Sequence, residues 1–298
     1  MAHQSHSYSR QRGFTLVELV MVIVILGVIG GVVAVFMRAP IDAYFASGRR
    51  AAMSDVADTA VRRMSRDIRK ALPNSLRVNA AGTCLEFIPT RTGGRYREQD
   101  RTSGDGKGMN FAIAESGFNM LGRNADWSAD QQIKSNDLIA VYNLGITGAT
   151  AYNGDNVARV STVVADTTSG SEESTISFTT PKQFPLESGS KRFHVIPVEE
   201  NVVAYVCNGT TLRRLVTPGL TTGTGALFTS SATSYCGTAT TLSAAPVLVS
   251  NLTSCAFTYN GNDLQRNGLV QMAISLGNGT GDGETVSLYH QINVNNTP

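Results

Sequence analysis

One stretch near the N-terminus decides the fold of this 298-residue chain: Gly13-Phe14-Thr15-Leu16-Val17-Glu18. It opens an almost unbroken apolar run that continues to Met37. A run of this length can cross a bilayer as an α-helix. Glu18 is unusual there, because a carboxylate in hydrocarbon costs about 2.5–3.5 kcal/mol on insertion scales. The acid therefore predicts a functional role and a partner.

Basic residues precede this run. Arg10 and Arg12 lie on its N-terminal side, so the positive-inside rule places residues 1–13 in the cytoplasm and everything after Arg38 outside. Residues 38–77 are also rich in Lys and Arg, which runs against the rule. We expect the arginines nearest the start of the span to dominate.

The residues around Gly13, from Arg12 to Leu19, resemble the processing site of type IV prepilins, the family of type IV pilins and type II secretion pseudopilins. The resemblance implies that prepilin peptidase cuts after Gly13 and that Phe14 becomes an N-methylated first residue. It also implies that Glu18 pairs with the free amine of a neighbouring subunit during assembly. Opposite charges attract strongly in a low dielectric, which offsets part of the cost of burying them.

Two other interpretations fit a basic start followed by an apolar stretch. A secretory signal peptide begins in this way, and so does an uncleaved single-pass anchor. A signal peptide predicts a mature N-terminus after an alanine near residues 34–46. The length of the apolar run and the acid at Glu18 favour the prepilin interpretation.

The helical pattern continues beyond the apolar run. From Ile41 to Leu72, apolar and small residues recur at helical spacing opposite a charged face. Pro40 predicts a bend, and the segment Leu72-Pro73-Asn74 predicts the helix end. In the membrane half, Gly27 and Gly31 form a small-xxx-small pair, which either allows close helix packing in lipid or merely loosens the helix.

After Pro73 the sequence changes to short β-like runs separated by turn residues, which favours an antiparallel sheet. Asn208-Gly209 predicts a hairpin with a type I′ turn. Residues 91–135 and 217–245 are poorly patterned and are predicted to be loop insertions. The predicted strands are Cys84–Ile88, Asn110–Ile113, Leu138–Tyr142, Ala158–Val164, Thr175–Phe178, Phe193–Ile196, Val202–Cys207, Thr211–Val216, Pro246–Val249, Cys255–Tyr259, Leu269–Ser275 and Thr285–Val294.

The predicted fold class is therefore α+β and pilin-like. A long N-terminal helix, transmembrane in its first half, packs on an antiparallel β-sheet head with loop insertions, which is also the fold that the resemblance implies. The predicted organisation is a leader at 1–13, a transmembrane helix at 14–37, an amphipathic helix at 38–72 and an exported β-rich domain at 73–298.

Later segments resemble minor members of the same family. Arg62–Arg69 and Leu252–Tyr259 are similar to J-type minor pseudopilins. Asn74–Val78 and Cys84–Pro89 are similar to the MshO-type minor pilin-like proteins of the mannose-sensitive haemagglutinin (MSHA) pilus system. These resemblances imply a minor subunit.

Four cysteines fall on the exported side: Cys84, Cys207, Cys236 and Cys255. An even number in an oxidising compartment predicts two disulfides, for which three connectivities exist. We expect Cys207 to bond Cys236, because the residues between them are rich in Gly, Thr and Ser and suit a loop tied at its base. Cys84 would then bond Cys255. Free buried thiols are the alternative.

The sequence offers little support for catalysis, so we expect no enzyme, no cofactor and no metal site. His194 and His290 are predicted to occupy structural strand positions. The run from Ser188 to Lys191 has S-x-x-K spacing, but it lies in a Gly/Ser loop and not at a helix start. Residues 277–284 could hold calcium, although a β-turn fits them better because the EF-hand spacing is absent.

The expected partners are prepilin peptidase, other pilin or pseudopilin subunits and the inner membrane. No nucleic-acid binding is expected, because the basic face of residues 49–69 lacks interleaved aromatics. The expected location is the inner membrane, with a single pass and a periplasmic head, and later a pilus or pseudopilus. We predict a minor subunit that primes or caps assembly. The alternative is a tip adhesin whose loops at 91–135 and 217–245 bind a ligand.

Overall fold

The computed structural model describes residues 13–101, 106–166, 172–217, 236, 239–261, 267–279 and 283–298. The chain divides into two compact units, Met1–Ala52 and Met53–Pro298. The helices and strands within the described residues are α1 (Leu16–Ile68), β1 (Arg77–Val78), β2 (Cys84–Phe87), β3 (Thr92–Tyr96), β4 (Glu115–Leu121), β5 (Leu138–Ala140), β6 (Val157–Ala165), β7 (Glu173–Lys182), β8 (Arg192–Ile196), β9 (Val202–Asn208), β10 (Thr211–Thr217), α2 (Ala239–Ala244), β11 (Val247–Val249), β12 (Leu252–Asn260), β13 (Asn267–Gly277) and β14 (Thr285–Asn295).

The first unit consists of the apolar part of α1. Every residue from Gly13 to Phe45 is exposed. The helix contains an 18-residue window with a mean hydropathy of 3.1 and no buried residue, so it is long and apolar enough to span a membrane. It continues through Pro40. The bend expected there stays a prediction.

The second unit contains the amphipathic end of α1. Its buried face is formed by Ala57, Ala60, Val61, Met64 and Ile68, which follow the spacing of one helical face. The helix ends at Ile68, earlier than predicted. The chain then joins the strands through a bridge between Ala71 and Pro89.

Two antiparallel sheets pack with this helix in one core. The larger sheet has the order β1-β2-β9-β10-β11, and the smaller has the order β12-β13-β14. Their apolar side chains, among them Leu85, Tyr205 and Phe257, share a buried cluster with Met64 and Ile68 of α1. A long apolar N-terminal helix followed by antiparallel sheets confirms the predicted α+β, pilin-like class.

A third group of strands forms a closed six-stranded barrel with the order β3-β4-β7-β6-β5-β8. The barrel lies between β2 and β9 in sequence, although these two strands are hydrogen-bonded neighbours that pair Phe87 with Val203. The prediction of a loop insertion at 91–135 was therefore wrong, because β3 and β4 complete the barrel wall. The strand predicted at Asn110–Ile113 was also wrong. Most of the insertion predicted at 217–245 lies outside the described residues.

The barrel is filled by its own aromatic core. Tyr96, Phe118, Phe184 and Phe193 are almost completely buried, and the Phe118 and Phe193 rings meet edge to face at 5.3 Å. Gly117 lies at an irregular register between β4 and β7, where a Cβ atom would approach the Ile176 carbonyl oxygen to 2.2 Å. Such bulges and glycines allow a sheet to curve and close.

The hairpin predicted at Asn208-Gly209 is present, but its turn differs. Asn208 pairs with Thr211, so Gly209 and Thr210 occupy the turn. Gly209 has φ +57°, whereas Thr210 is not among the residues with positive φ. A type I′ turn requires positive φ at both central residues. The prediction of a type I′ turn was therefore wrong, and the glycine at the first position fits a type II′ turn.

The disulfide pairing also differs from the predicted one. Two bonds form, Cys84–Cys236 and Cys207–Cys255, with Cα–Cα distances of 5.9 and 6.2 Å. Cys84 is the cross-strand partner of Val206, so it shares a sheet face with Val206 and not with the next residue, Cys207. The expected pairs would each have joined opposite faces of this sheet.

The surroundings of the cysteines agree with this explanation. Cys84 and Cys236 belong to a cluster on one face of the larger sheet, with Ala204 and Val206. Cys207 and Cys255 pack instead against the core that contains α1.

Candidate functional site

The first turn of α1 carries the residues of the predicted processing and assembly site. Thr15 immediately precedes the helix, and its N–H and its hydroxyl donate to Oε2 of Glu18, each at 3.2 Å. The N–H of Glu18 donates in return to Thr15 Oγ1 at 3.3 Å. This reciprocal pattern is a capping box, which satisfies backbone donors that the first turn otherwise leaves open.

The capping box gives Glu18 partners within its own chain. The carboxylate also lies at the positive end of the helix dipole, where negative charge is favoured. Both effects would lower the cost of placing this acid in lipid. Reasoning on the sequence missed this role, although the pattern Thr-x-x-Glu ahead of an apolar run was a recognisable signal.

Phe14 lies four residues before Glu18 and precedes α1, which begins at Leu16. Phe14 is 81% exposed, and Gly13 before it is exposed as well. The peptide bond between Gly13 and Phe14 therefore lies in open chain ahead of the helix.

Gly27 and Gly31 lie on the exposed apolar part of α1. A Cβ atom at either glycine, or at Gly30, would meet nothing within 4 Å. These glycines are therefore not needed for packing within the chain. Their role in packing against another helix stays a prediction.

The second unit fixes α1 on its sheet by a charged cluster. The Tyr205 hydroxyl donates to Oδ2 of Asp67 at 2.6 Å, and Arg214 Nε donates to the same oxygen at 3.0 Å. Arg214 also donates to both carboxylate oxygens of Glu200, at 3.0 and 2.9 Å. Burial and the neighbouring Asp67 carboxylate raise the pKa of Tyr205 above its ordinary value. This cluster joins the last turn of α1 to β9 and β10.

The other residues considered for chemistry do not converge. His194 lies on β8 and His290 on β14, in different sheets. Lys191 pairs with Glu98 and Glu187, and Ser188 Oγ meets Ser190 Oγ at 3.3 Å, so the S-x-x-K segment forms an ordinary polar loop. Residues 280–282 of the calcium candidate lie outside the described residues. Within the described residues, no group of three or more His, Cys, Asp or Glu side chains could hold a metal.

Comparisons with known proteins bear on the N-terminus alone. The family signature described as the prokaryotic N-terminal methylation motif matches residues 8–34. No curated protein and no solved structure matches the chain. The matched range contains Gly13, Phe14, the capping box and the small-xxx-small pair of Gly27 and Gly31. The chain therefore carries a type IV prepilin signal on a pilin-like α+β fold.

Proposed function

We propose that this protein is a minor type IV pilin or pseudopilin. In this proposal prepilin peptidase cuts after Gly13, and the mature chain begins with N-methylated Phe14. Its apolar helix then moves from the inner membrane into a bundle of related subunits, while the β-rich head stays on the periplasmic side. The protein acts as a structural subunit of the fibre and not as an enzyme. The methylation motif on an apolar helix that no other described part of the chain covers is the observation that carries the proposal.

The minor role is supported by the size of the head. A second folded body, the barrel between β2 and β9, makes the head bulky for a subunit repeated along a fibre wall. Arg62–Arg69 and Leu252–Tyr259 resemble J-type proteins, and Asn74–Val78 and Cys84–Pro89 resemble MshO-type proteins. Together with these resemblances, the size of the head favours a subunit that primes or caps an MSHA-type pilus or a pseudopilus.

Intact mass of the protein isolated from membranes tests the processing step. We expect the mass of residues 14–298 with one added methyl group and four fewer hydrogens for the two disulfides. A chain that retains residues 1–13 would overturn the proposal. A mature N-terminus after an alanine near residues 34–46 would establish the signal-peptide alternative.

Glu18 variants test the assembly step. Glu18→Gln keeps a side chain that can complete a capping box but removes the charge, whereas Glu18→Ala removes both. If Glu18 pairs with a neighbour's amine, both variants insert into the membrane and are cleaved, and both fail to enter fibres. Normal incorporation of Glu18→Gln would reject the pairing and leave Glu18 with a capping role only.

A tip adhesin remains the second candidate, and the barrel favours it, since this body is not part of the sheets that pack on α1. Excising 91–135 alone would remove β3 and β4 and open the barrel. The sharper variant replaces residues 90–199 by a short turn that joins β2 to β9. An adhesin predicts that this variant assembles but no longer supports attachment. Failure of assembly would instead favour the priming role.

A further inference from the structure

The second unit contains a cleft of about 540 Å³ between the end of α1 and the strands β3 and β8. Five cationic side chains line it, and no Asp or Glu does. They are Arg69, Lys70, Arg91, Arg95 and Arg192. Volumes of this order are typical of small-molecule sites.

Only one of these cations is neutralised within the described part of the chain. Arg91 pairs with Asp137 at 3.1 Å and also contacts Glu199. No ion pair joins Arg69, Lys70, Arg95 or Arg192 to a carboxylate among the residues that the structure describes. The lining of the cleft therefore carries a net positive charge.

Arg95 and Arg192 are direct cross-strand partners on β3 and β8. Directly opposed residues of an antiparallel pair share one face, and like charges at such positions destabilise the sheet. The two guanidinium groups therefore repel each other, and an anion bound between them would relieve this repulsion. The planar guanidinium fork suits oxyanions, because it donates two parallel hydrogen bonds to a carboxylate or a phosphate.

His194 lies on the same face, opposite Gly93. Its Nε2 is buried and has no hydrogen-bond partner among the residues that the structure describes. Burial and the nearby Arg192 lower the pKa of His194 to about 4, so the imidazole is neutral at physiological pH. A Cβ atom on Gly93 would lie 3.5 Å from His194 Nδ1, so a side chain at this position would contact the imidazole.

We propose that this cleft binds a small ligand through an oxyanion group, held between Arg95 and Arg192 above Gly93 and His194. Arg69 and Lys70 supply further positive charge from the end of α1. The ligand class is a small molecule that carries a carboxylate, phosphate or sulfate group. The inference concerns the second unit alone and does not depend on the place of the protein in a fibre.

Calorimetric titration of the processed full chain in detergent micelles tests the proposal. Two tetrahedral anions, sulfate and phosphate, and two carboxylates, acetate and citrate, serve as probes. We expect saturable binding of the tetrahedral anions, the carboxylates or both. The kind of anion that binds identifies the oxyanion group of the ligand. The double variant Arg95→Gln/Arg192→Gln should weaken binding by about tenfold or more, as expected for lost hydrogen bonds to a charged group.

Arg63→Gln is the matched control, because Arg63 is an exposed cation of α1 outside the cleft. It should leave binding unchanged. Equal weakening by the control, or no saturable binding of any probe, would overturn the proposal. Because the double variant could misfold, the ¹⁵N resonances of His194 in the unaltered protein provide a second measurement. They should shift on titration, and binding without such a shift would place the ligand elsewhere. Neither failure bears on processing or assembly, since Gly13, Phe14 and Glu18 take no part in the cleft.

Discussion

Thr15 and Glu18 hold each other at the start of α1. The hydroxyl of Thr15 accepts from the N–H of Glu18 at 3.3 Å and lies 3.2 Å from Oε2 of the same residue. The acid that the family signature contains is thus also part of the helix cap. Charge and capping are two separate roles of one side chain, and they can be separated experimentally.

Thr15→Val removes the hydroxyl and keeps the size of the side chain. Loss of an N-cap typically costs about 1 kcal/mol, so amide exchange at Glu18 should accelerate about fivefold. Hydrogen exchange of the processed protein in micelles measures this. Glu18→Gln is the control, since glutamine also completes a capping box. Unchanged exchange in Thr15→Val would show that the hydroxyl contributes nothing to the helix start.

Gly27→Leu and Gly31→Leu test whether the small-xxx-small pair packs against another helix. Because a Cβ atom meets nothing within 4 Å at either position, the single chain should accept both changes, with normal insertion and cleavage. If this glycine pair packs against a neighbouring helix, the larger leucine side chains should reduce incorporation into fibres several-fold. The ratio of protein in sheared fibres to protein in membranes measures this. Val28→Leu is the control, and equal incorporation of all three variants would reject a packing role.

The disulfide pairing can be checked by peptide mapping under non-reducing conditions. Chymotrypsin is required, because no Lys or Arg lies between Cys236 and Cys255. We expect peptides that link Cys84 to Cys236 and Cys207 to Cys255. A peptide linking Cys207 to Cys236 would contradict the structure. Replacing Cys207 and Cys255 together by alanine should lower the free energy of unfolding by about 2–4 kcal/mol.

Glu86 should make stability depend on pH. It is buried on β2 and accepts from Arg77 Nε at 2.8 Å and from Nη2 at 2.5 Å. Burial raises the pKa of Glu86 from 4.5 to about 7, although Arg77 acts in the opposite direction. A carboxyl group with a higher pKa in the folded state binds its proton more tightly there, which stabilises the folded protein. This stabilisation is fully present below pH 4.5 and is lost as pH rises through 7.

Glu86→Gln removes this titration. Between pH 4.5 and 7 the unaltered protein should lose, relative to the variant, on the order of 3 kcal/mol of unfolding free energy. Urea unfolding at a series of pH values measures the difference. The exposed Glu172→Gln variant serves as the control, and its unfolding free energy should change with pH in the same way as that of the unaltered protein. If the difference in unfolding free energy between Glu86→Gln and the unaltered protein is the same at every pH, the raised pKa of Glu86 is contradicted.

The sequence predicted what depends on local pattern and missed what depends on pairing between distant strands. The apolar run before Met37 and the amphipathic residues up to Ile68 carry their own helical period, so α1 was predictable. The barrel was not, because its closure joins Thr92 of β3 to Val195 of β8, and no local period encodes that register. The basic cleft draws on α1, β3 and β8 and was hidden for the same reason.

The two disulfides show the same limit. Their pairing follows from which sheet face each cysteine occupies, and that depends on the register of β2 against β9. β9 is apolar and buried at every position from Val202 to Val206, so the sequence shows no alternation that marks its two faces. Spacing along the chain therefore favoured the wrong pair.

The two bridges interlock along the chain, since Cys207 lies inside the segment closed by Cys84 and Cys236, while Cys255 lies beyond it. A polypeptide that emerges into an oxidising compartment from its N-terminal side presents Cys84 and Cys207 first, and these two are not native partners. Any bond between them must be broken by thiol–disulfide exchange before the native pair can close. Where such a bond forms during export, an isomerase would have to exchange it before the two native bonds close.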